Sequence, residues 1–177
     1  MTNRKVIVYI AISLDGYIAK PDNDLSFLKV VEKNGEDYGY NAFINTVDVV
    51  VMGRKTYDWI LSQVASFPHA DKETYVITRT HRKAVGNVNF YNDDLRVLIN
   101  DLKSIPGKNI FIDGGAEIVN AALRLKLVDE LVISTIPILV GNGTKLFNDD
   151  RPEQMLKLLS VKQFDTGLIQ SHYQVKD

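Results

Sequence analysis

The chain contains no cysteine, one tryptophan and five prolines in 177 residues. Without a thiol, disulfides, cysteine nucleophiles and cysteine-ligated zinc are excluded. Cysteine-free chains are compatible with a cytoplasmic protein, which is the location that we expect. The three histidines, His69, His81 and His172, share no ligand spacing, so the sequence predicts solvated or capping roles for them and no metal site.

Charge of one sign is not in excess, because 21 basic residues are balanced by 22 acidic ones. A protein that binds a nucleic-acid backbone normally carries a basic surplus, so no nucleic-acid partner is expected. No stretch approaches the roughly 20 apolar residues of a membrane-spanning helix, so we expect no membrane partner. The apolar run near the N-terminus ends at Asp15 and Gly16 and is interpreted as a first strand. The length predicts one domain over residues 1–177.

The most informative segment that is present is VVVMGRKTYDW, residues 49–59, where an apolar strand ends at Gly53 and a helical pattern begins at once. A glycine lets the backbone turn tightly beside a ligand, and the free N–H groups of a new helix bind anions. Arg54 and Thr56 add positive charge and hydrogen-bond donors. The segment therefore predicts a phosphate-binding turn, although a single turn of this kind more often only packs a helix closely.

A second turn of the same type follows sixty residues later. The strand Asn109–Asp113 meets Gly114 and Gly115, and a helix is predicted over Ala116–Leu125. Two phosphate-ready turns in one chain indicate a dinucleotide ligand.

Strands alternate with helices along most of the chain, and the last two strands are joined near Gly167. This order predicts an α/β fold with a mixed, mostly parallel sheet, helices on both faces and an antiparallel C-terminal hairpin. Ligands of such sheets bind beyond the carboxyl ends of the strands. The predicted strands are Val6–Ser13, Asp48–Met52, Thr74–Thr78, Val88–Tyr91, Asn109–Ile112, Glu130–Ile136, Val161–Asp165 and Ile169–Val175. The predicted helices are Asp37–Val47, Thr56–Gln63, Asp94–Lys103 and Ala116–Leu125.

Three more motifs accompany the two turns: SLDG at 13–16, VDEL at 128–131, and PILVG at 137–141 followed by Leu146 and Phe147. In this order and spacing the chain resembles the dihydrofolate-reductase-like superfamily, and within it the reductase domain of the bifunctional riboflavin-biosynthesis deaminase-reductase. The resemblance implies an NADPH-dependent oxidoreductase of the 5-amino-6-(5-phosphoribosylamino)uracil reductase type. It also implies a small heterocyclic substrate and a homodimer.

The resemblance assigns the cofactor to both turns and to the first strand. Arg54 and Thr56 are expected to hold phosphate oxygens, and Arg79 the adenosine 2′-phosphate, because a guanidinium fork matches a phosphate dianion. That contact favours NADPH over NADH, although the residues alone equally allow Arg79 to be a solvated surface side chain. The implied cofactor contacts are Ala11, Ile18, Gly53, Arg54, Thr56, Thr78, Arg79, Asp113, Gly114, Gly115, Ala116 and Glu117. In the dihydrofolate reductases that the chain resembles, the bond matching Gly114-Gly115 is cis.

Two carboxylates are candidate catalytic residues. Hydride transfer to a C=N or C=O carbon needs a proton source or a carboxylate that orients the ring. Asp15 lies in the SLDG segment that borders the substrate in the family, and Asp37 falls at the pteridine-binding carboxylate of dihydrofolate reductase. A turn-forming role for Asp15 and a helix-start charge for Asp37 remain open, and Glu36 replaces Asp37 if the register shifts by one.

The chain departs from the family pattern at two places. The tryptophan usual after the first loop is missing, with Phe27 as its candidate replacement, and residues 29–35 have no clear counterpart. Two other functions therefore remain open. One is a genuine dihydrofolate reductase, which the SLDG and PILVGNG segments disfavour. The other is a catalytically silent nucleotide-binding or structural protein with the same fold.

Overall fold

The computed structural model describes residues 4–149 and 151–176. The strands are β1 Val6–Ser13, β2 Tyr17–Ala19, β3 Val47–Gly53, β4 Glu73–Ile77, β5 Val88–Tyr91, β6 Asn109–Gly114, β7 Glu130–Ile136, β8 Thr144–Lys145, β9 Leu156–Gln163 and β10 Ile169–Val175. The helices are α1 Tyr40–Ile44, α2 Arg54–Gln63, α3 Leu95–Ser104 and α4 Ala116–Arg124. Short 3-10 segments cover Pro21–Asn23 and Ser26–Val31.

Eight of these strands form one sheet in the order β5-β4-β3-β6-β1-β7-β10-β9. Neighbouring strands from β5 to β7 are parallel, whereas β10 runs antiparallel to both β7 and β9. Strands β2 and β8 form a separate pair. The predicted mixed, mostly parallel sheet with an antiparallel C-terminal hairpin is therefore confirmed. Because the parallel strands all run in the same direction, the loops after β1, β3, β4, β6 and β7 lie together at the carboxyl ends of the strands.

Helices cover both faces of the central strands, as expected for apolar strands without alternation. On one face α3 and α4 pack against side chains that include Val6, Val8 and Ile112. On the other face the ring of Phe43 from α1 and Tyr57 from α2 pack with Phe111. None of the helices in the described residues is long and apolar enough to cross a lipid bilayer.

The helix predicted over Asp37–Val47 is wrong at both ends. Gly39 has a φ of 84°, in the left-handed region, so the helical backbone begins only at Tyr40. Val47 already belongs to β3. The helical spacing of the apolar residues therefore continues through a turn and into a strand.

The strand predicted over Val161–Asp165 is also wrong, since β9 extends over Leu156–Gln163. This edge strand is exposed along its whole length, and its register with β10 shifts between His172 and Tyr173. Neither feature produces the regular alternation by which a half-buried strand is recognised.

Candidate functional site

The two glycine turns lie side by side. Strands β3 and β6 are neighbours, and Met52 is paired with Gly114. A side-chain carbon at Gly115 would lie 3.2 Å from Oγ1 of Thr56, and one at Gly53 would lie 3.8 Å from the backbone nitrogen of Gly115. Gly114 has a φ of 123°, and the Gly114-Gly115 peptide bond is cis. The fold thus joins two segments distant in sequence into one surface.

This surface carries the donors that a pyrophosphate needs. Helix α2 begins at Arg54 and α4 begins at Ala116, and the residues before them, Gly53 and Gly115, provide no side-chain cap. The first-turn N–H groups of both helices therefore have no capping side chain, and such groups bind anions at close range. The donor set fits the phosphates of a nucleotide.

Arg54 is held by a neighbour on its own helix. Its Nη1 atom donates a 2.6 Å hydrogen bond to Oδ2 of Asp58, and about two fifths of the Arg54 side chain is exposed. Thr56 is half-buried on the same turn of α2. The guanidinium therefore lies beside the turn with part of its surface accessible to a ligand.

The loop after β4 carries Thr78 and Arg79. Thr78 is buried, and its hydroxyl oxygen accepts a hydrogen bond from the backbone N–H of Thr80 at 3.2 Å. Arg79 is exposed, and it makes no hydrogen bond or ion pair within the part of the chain that the structure describes. Arg82, three residues on, lies 3.6 Å from Asp58 and over the ring of Phe90. Of these two arginines, Arg79 is the one available to a phosphate.

Asp113, at the end of β6, has a partner that sequence reasoning missed. The Nε2 atom of His69 lies 3.3 Å from Oδ2 of Asp113, and the His69 ring is buried between Phe67 and Phe111. No motif around His69 indicates this contact, which depends on the loop after α2. Nearby, Ala116 is buried, whereas Glu117 is exposed, with its Oε1 3.4 Å from Nζ of Lys55.

A cavity of about 520 Å³ lies against β1, β7 and the segment that leads into α1. That volume is within the usual range for a small-molecule site. Strand β1, which contributes Tyr9 and Ala11, is the direct neighbour of β6, which ends in the second glycine turn. The lining residues are Tyr9, Ala11, Leu28, Lys29, Val31, Glu32, Lys33, Glu36, Asp37, Tyr38, Ser134, Ile136 and Leu168. Phe27 is buried with Ile136 and Leu168 in the same apolar cluster.

A hydrogen-bond network lies at the strand side of this cavity. Nε2 of the buried Gln170 is 2.9 Å from the Tyr9 hydroxyl, 3.0 Å from Oγ of Ser134 and 3.1 Å from the Tyr38 carbonyl. The Tyr9 hydroxyl donates to the same carbonyl at 2.9 Å. Burial raises the pKa of Tyr9, so its hydroxyl stays protonated at neutral pH. The network joins strands β1, β7 and β10, so local sequence patterns could not reveal it.

Asp37 lines the mouth of the cavity, but backbone groups occupy its carboxylate. Its two oxygens accept the N–H groups of Gly39 and Asn41, each at 2.9 Å. The Asn41 amide, followed by that of Gly39, lowers the pKa of Asp37. Glu36 also lines the cavity and accepts the N–H of Tyr38 at 2.8 Å. Asp37 is therefore ionised at neutral pH and has lone pairs, but no proton, to offer a ligand.

Asp15 connects two loops and does not line the cavity. Oδ1 accepts the hydroxyl of Ser13 at 2.5 Å and the N–H of Val140 at 3.0 Å, and Oδ2 accepts the N–H of Gly141 at 2.7 Å. The Ser13 hydroxyl, with these two amides, lowers the pKa of Asp15 to about 2. The carboxylate therefore ties the loop after β1 to the loop after β7.

The structure separates several residues that the sequence grouped together. Asp15 and Asp37 lie in different loops with different partners. Ala11 lines the cavity, whereas Ile18 packs against the core cluster that contains Leu146. The cofactor candidates around Gly53 and Gly115, in contrast, are brought together.

The model of the RibD C-terminal domain family matches residues 4–170 of the chain. The chain is 40% identical over 171 residues to YwjB, an uncharacterised protein of Bacillus subtilis (strain 168), and the match covers 96% of this chain and 97% of YwjB.

Solved structures with the same fold extend this comparison. A protein assigned to riboflavin biosynthesis from Shewanella sp. PV-4 superposes with a TM-score of 0.88 and 33% identity over 98% of this chain and 99% of its own. The diaminohydroxyphosphoribosylaminopyrimidine deaminase/5-amino-6-(5-phosphoribosylamino)uracil reductase of Thermotoga maritima superposes with a TM-score of 0.73 and 14% identity. The match covers 98% of this chain and 57% of the Thermotoga chain. A dihydrofolate reductase of Enterococcus faecalis complexed with NADP(H) superposes with a TM-score of 0.66 and 14% identity. The match covers 98% of this chain and 97% of the reductase chain. At 14% identity the last two show the fold alone, which is dihydrofolate-reductase-like.

Proposed function

The chain belongs to the RibD C-terminal domain family, and from that premise we propose that it is an NADPH-dependent reductase. Its reaction is of the 5-amino-6-(5-phosphoribosylamino)uracil reductase type, in which hydride passes from the cofactor to a small polar heterocyclic substrate. The observation that carries the proposal is the pair of uncapped helix starts, at Arg54 and Ala116, beside a cavity of about 520 Å³.

Each part of the surface has a distinct role in this proposal. The first-turn N–H groups of α2 and α4, with Arg54 and Thr56, bind the pyrophosphate, and Arg79 binds the 2′-phosphate. NADPH, when bound, supplies the hydride. Because the side chain of Ala11 is small, it leaves room for the flat nicotinamide ring at the wall of the cavity.

The carboxylates are proposed to orient the substrate. Asp37 is ionised at the cavity mouth, so it accepts N–H groups of a polar heterocycle. Asp15 acts through the loop after β7, which it holds by the amides of Val140 and Gly141. Ordered loops keep the reacting groups in one geometry, which is a large part of enzymatic rate enhancement.

Thermal unfolding with NADPH, NADP and NADH tests the cofactor assignment. A ligand at a hundred times its Kd stabilises the folded state by about 2.7 kcal/mol, so NADPH and NADP at that excess should raise the Tm. NADH should require a higher concentration for the same shift. NADPH oxidation with a panel of pyrimidines and pteridines then separates an enzyme from a silent binding protein. No shift with any of the three nucleotides would refute the reductase proposal.

We also propose that the protein is a homodimer, as its family resemblance implies. The edge strand β9 exposes Leu156, Leu158 and Val161, and Ile169 on β10 is exposed beside it. Exposed apolar edge strands promote association, so natural proteins usually cover them. Sedimentation of the wild type should give a dimer, and Leu158→Lys with Val161→Lys should give a folded monomer. A wild type that is monomeric at micromolar concentration would contradict this proposal.

A further inference from the structure

Proteins bind phosphate groups mainly with arginine forks, uncapped helix starts and glycine-rich turns. All three devices occur at the glycine turns, where Arg54, Gly53 and Gly115 lie. The lining of the 520 Å³ cavity contains no arginine and no glycine among the described residues. The two halves of the site thus differ sharply in the groups that they offer an anion.

The charged groups around the cavity mouth repel a phosphate. Three carboxylates, of Glu32, Glu36 and Asp37, line it together with two ammonium groups, of Lys29 and Lys33. Lys33 is already engaged, because its Nζ lies 3.2 Å from Oδ2 of Asp165. The mouth therefore presents an excess of negative charge, and like charges at short range disfavour binding.

Three backbone donors beside the mouth are occupied as well. The segment that enters α1 presents the N–H groups of Tyr38, Gly39 and Asn41. Glu36 accepts the first, and Asp37 accepts the other two. A phosphate would have to displace carboxylates that the chain itself supplies.

We infer that the substrate of this cavity carries no phosphate and is a neutral or cationic heterocycle with N–H groups. The inference rests on the proposed reductase function. Within that reaction type it excludes the phosphorylated substrate by which the type is named and leaves the unphosphorylated heterocycles. The walls from Ala11, Ile136 and Leu168 accommodate the faces of a flat ring, and the carboxylates of Glu36 and Asp37 accept its N–H groups. The Tyr9 and Ser134 hydroxyls provide further polar contacts deep in the cavity.

Calorimetry with the cofactor site saturated by NADP tests the inference. The probes are matched pairs that differ by one phosphate: a ribosylaminopyrimidine and its 5′-phosphate, and a pyrimidine nucleoside and its 5′-monophosphate. We expect the unphosphorylated member of each pair to bind about tenfold more tightly. In Glu36→Gln with Asp37→Asn the preference should fall to within threefold, because both amides keep the side-chain shape and lose the charge. Asp101→Asn, an exposed carboxylate on α3, should leave it unchanged.

Tighter binding of the phosphorylated members would overturn the inference. So would binding of NADP without measurable binding of any probe, because the cavity would then not accept the proposed class. Failure of NADP itself to bind would instead refute the reductase proposal on which the inference rests. The two failures are therefore distinguishable in one titration series.

Discussion

His69 and Asp113 form a pair beside the second glycine turn, with Nε2 of the buried histidine 3.3 Å from Oδ2 of the aspartate. We predict that His69→Ala weakens NADPH binding, because Asp113 directly precedes Gly114 and loses the group that fixes it. It should also lower the free energy of unfolding by about 1–3 kcal/mol, as expected when a buried polar group loses its partner. Urea unfolding and NADPH titration measure the two effects.

His172→Ala is the matched control, since His172 is also bonded to a carboxylate, Oε2 of Glu130, at 2.9 Å. Glu130 begins β7, so it lies at the amino ends of the parallel strands, whereas the glycine turns lie at their carboxyl ends. The control should lose stability and keep its NADPH affinity. Equal losses of affinity in both variants would show that His69 acts only through general stability.

Arg54→Ala should weaken NADPH binding by about 1.5–3 kcal/mol, the range for charge-assisted hydrogen bonds. Lys108→Ala removes a positive charge at the amino ends of the parallel strands, far from the glycine turns, where Nζ of Lys108 donates to the Asn45 carbonyl. This variant should not change the affinity for NADPH. Fluorescence titration of both variants measures the difference. An Arg54→Ala affinity within twofold of the wild type would remove Arg54 from the cofactor site.

Arg79→Ala should weaken binding of NADPH and leave binding of NADH nearly unchanged, because NADPH alone carries the 2′-phosphate. Arg82→Ala is the control from the same loop, since Arg82 already pairs with Asp58. It should leave the ratio of the two dissociation constants unaltered. Equal losses for both nucleotides in Arg79→Ala, or no loss at all, would argue against the contact.

Asp15 and Asp37 are the two carboxylates proposed to orient the substrate. Replacing the one that has this role by asparagine should reduce turnover roughly 10²–10⁴-fold with little change in NADPH affinity. Asparagine keeps the shape and removes the negative charge. NADPH oxidation with the substrate panel compares the wild type with each variant. Full activity in both variants would show that neither carboxylate has this role.

Asp15 should also make stability depend on pH in the acid range. Its pKa is about 2 in the folded protein, against 3.8 for the free side chain. Because folding lowers this pKa, the Asp15 carboxylate contributes fully to the free energy of unfolding above pH 3.8. That contribution disappears as the pH falls towards 2. The urea midpoint of the wild type should therefore exceed that of Asp15→Asn at pH 6, and the gap should close between pH 4 and about 2. A gap that is constant over this window would contradict the assignment.

Strand β1 and the two glycine turns could be predicted because their signals are local. Val6–Ser13 is apolar nearly throughout, as a central strand must be, and the observed bounds agree. The edge strand β9 could not be placed correctly, because burial does not impose a pattern on exposed residues.

The cavity could not be predicted, because its polar groups come from separate strands. Tyr9, Ser134 and Gln170 meet only through the pairing of β7 with β1 and β10. His69 was also missed, since its contact with Asp113 depends on how the loop after α2 folds back. For Asp37, the backbone amides that occupy the carboxylate follow from the left-handed turn at Gly39, which helical spacing conceals.

The position of β1 at the centre of the sheet also constrains the order of events during synthesis. Val6 pairs with Ile110 and Tyr9 with Val132, so β1 waits for its two neighbours until the ribosome has passed residue 132. Contacts between distant parts of a chain form slowly, and unpaired strand edges attract other chains in the meantime. A nascent chain that ends before Glu130 leaves one side of β1 open. Release of such a fragment from the ribosome should give an aggregation-prone species, and folding should become productive only once β7 has emerged.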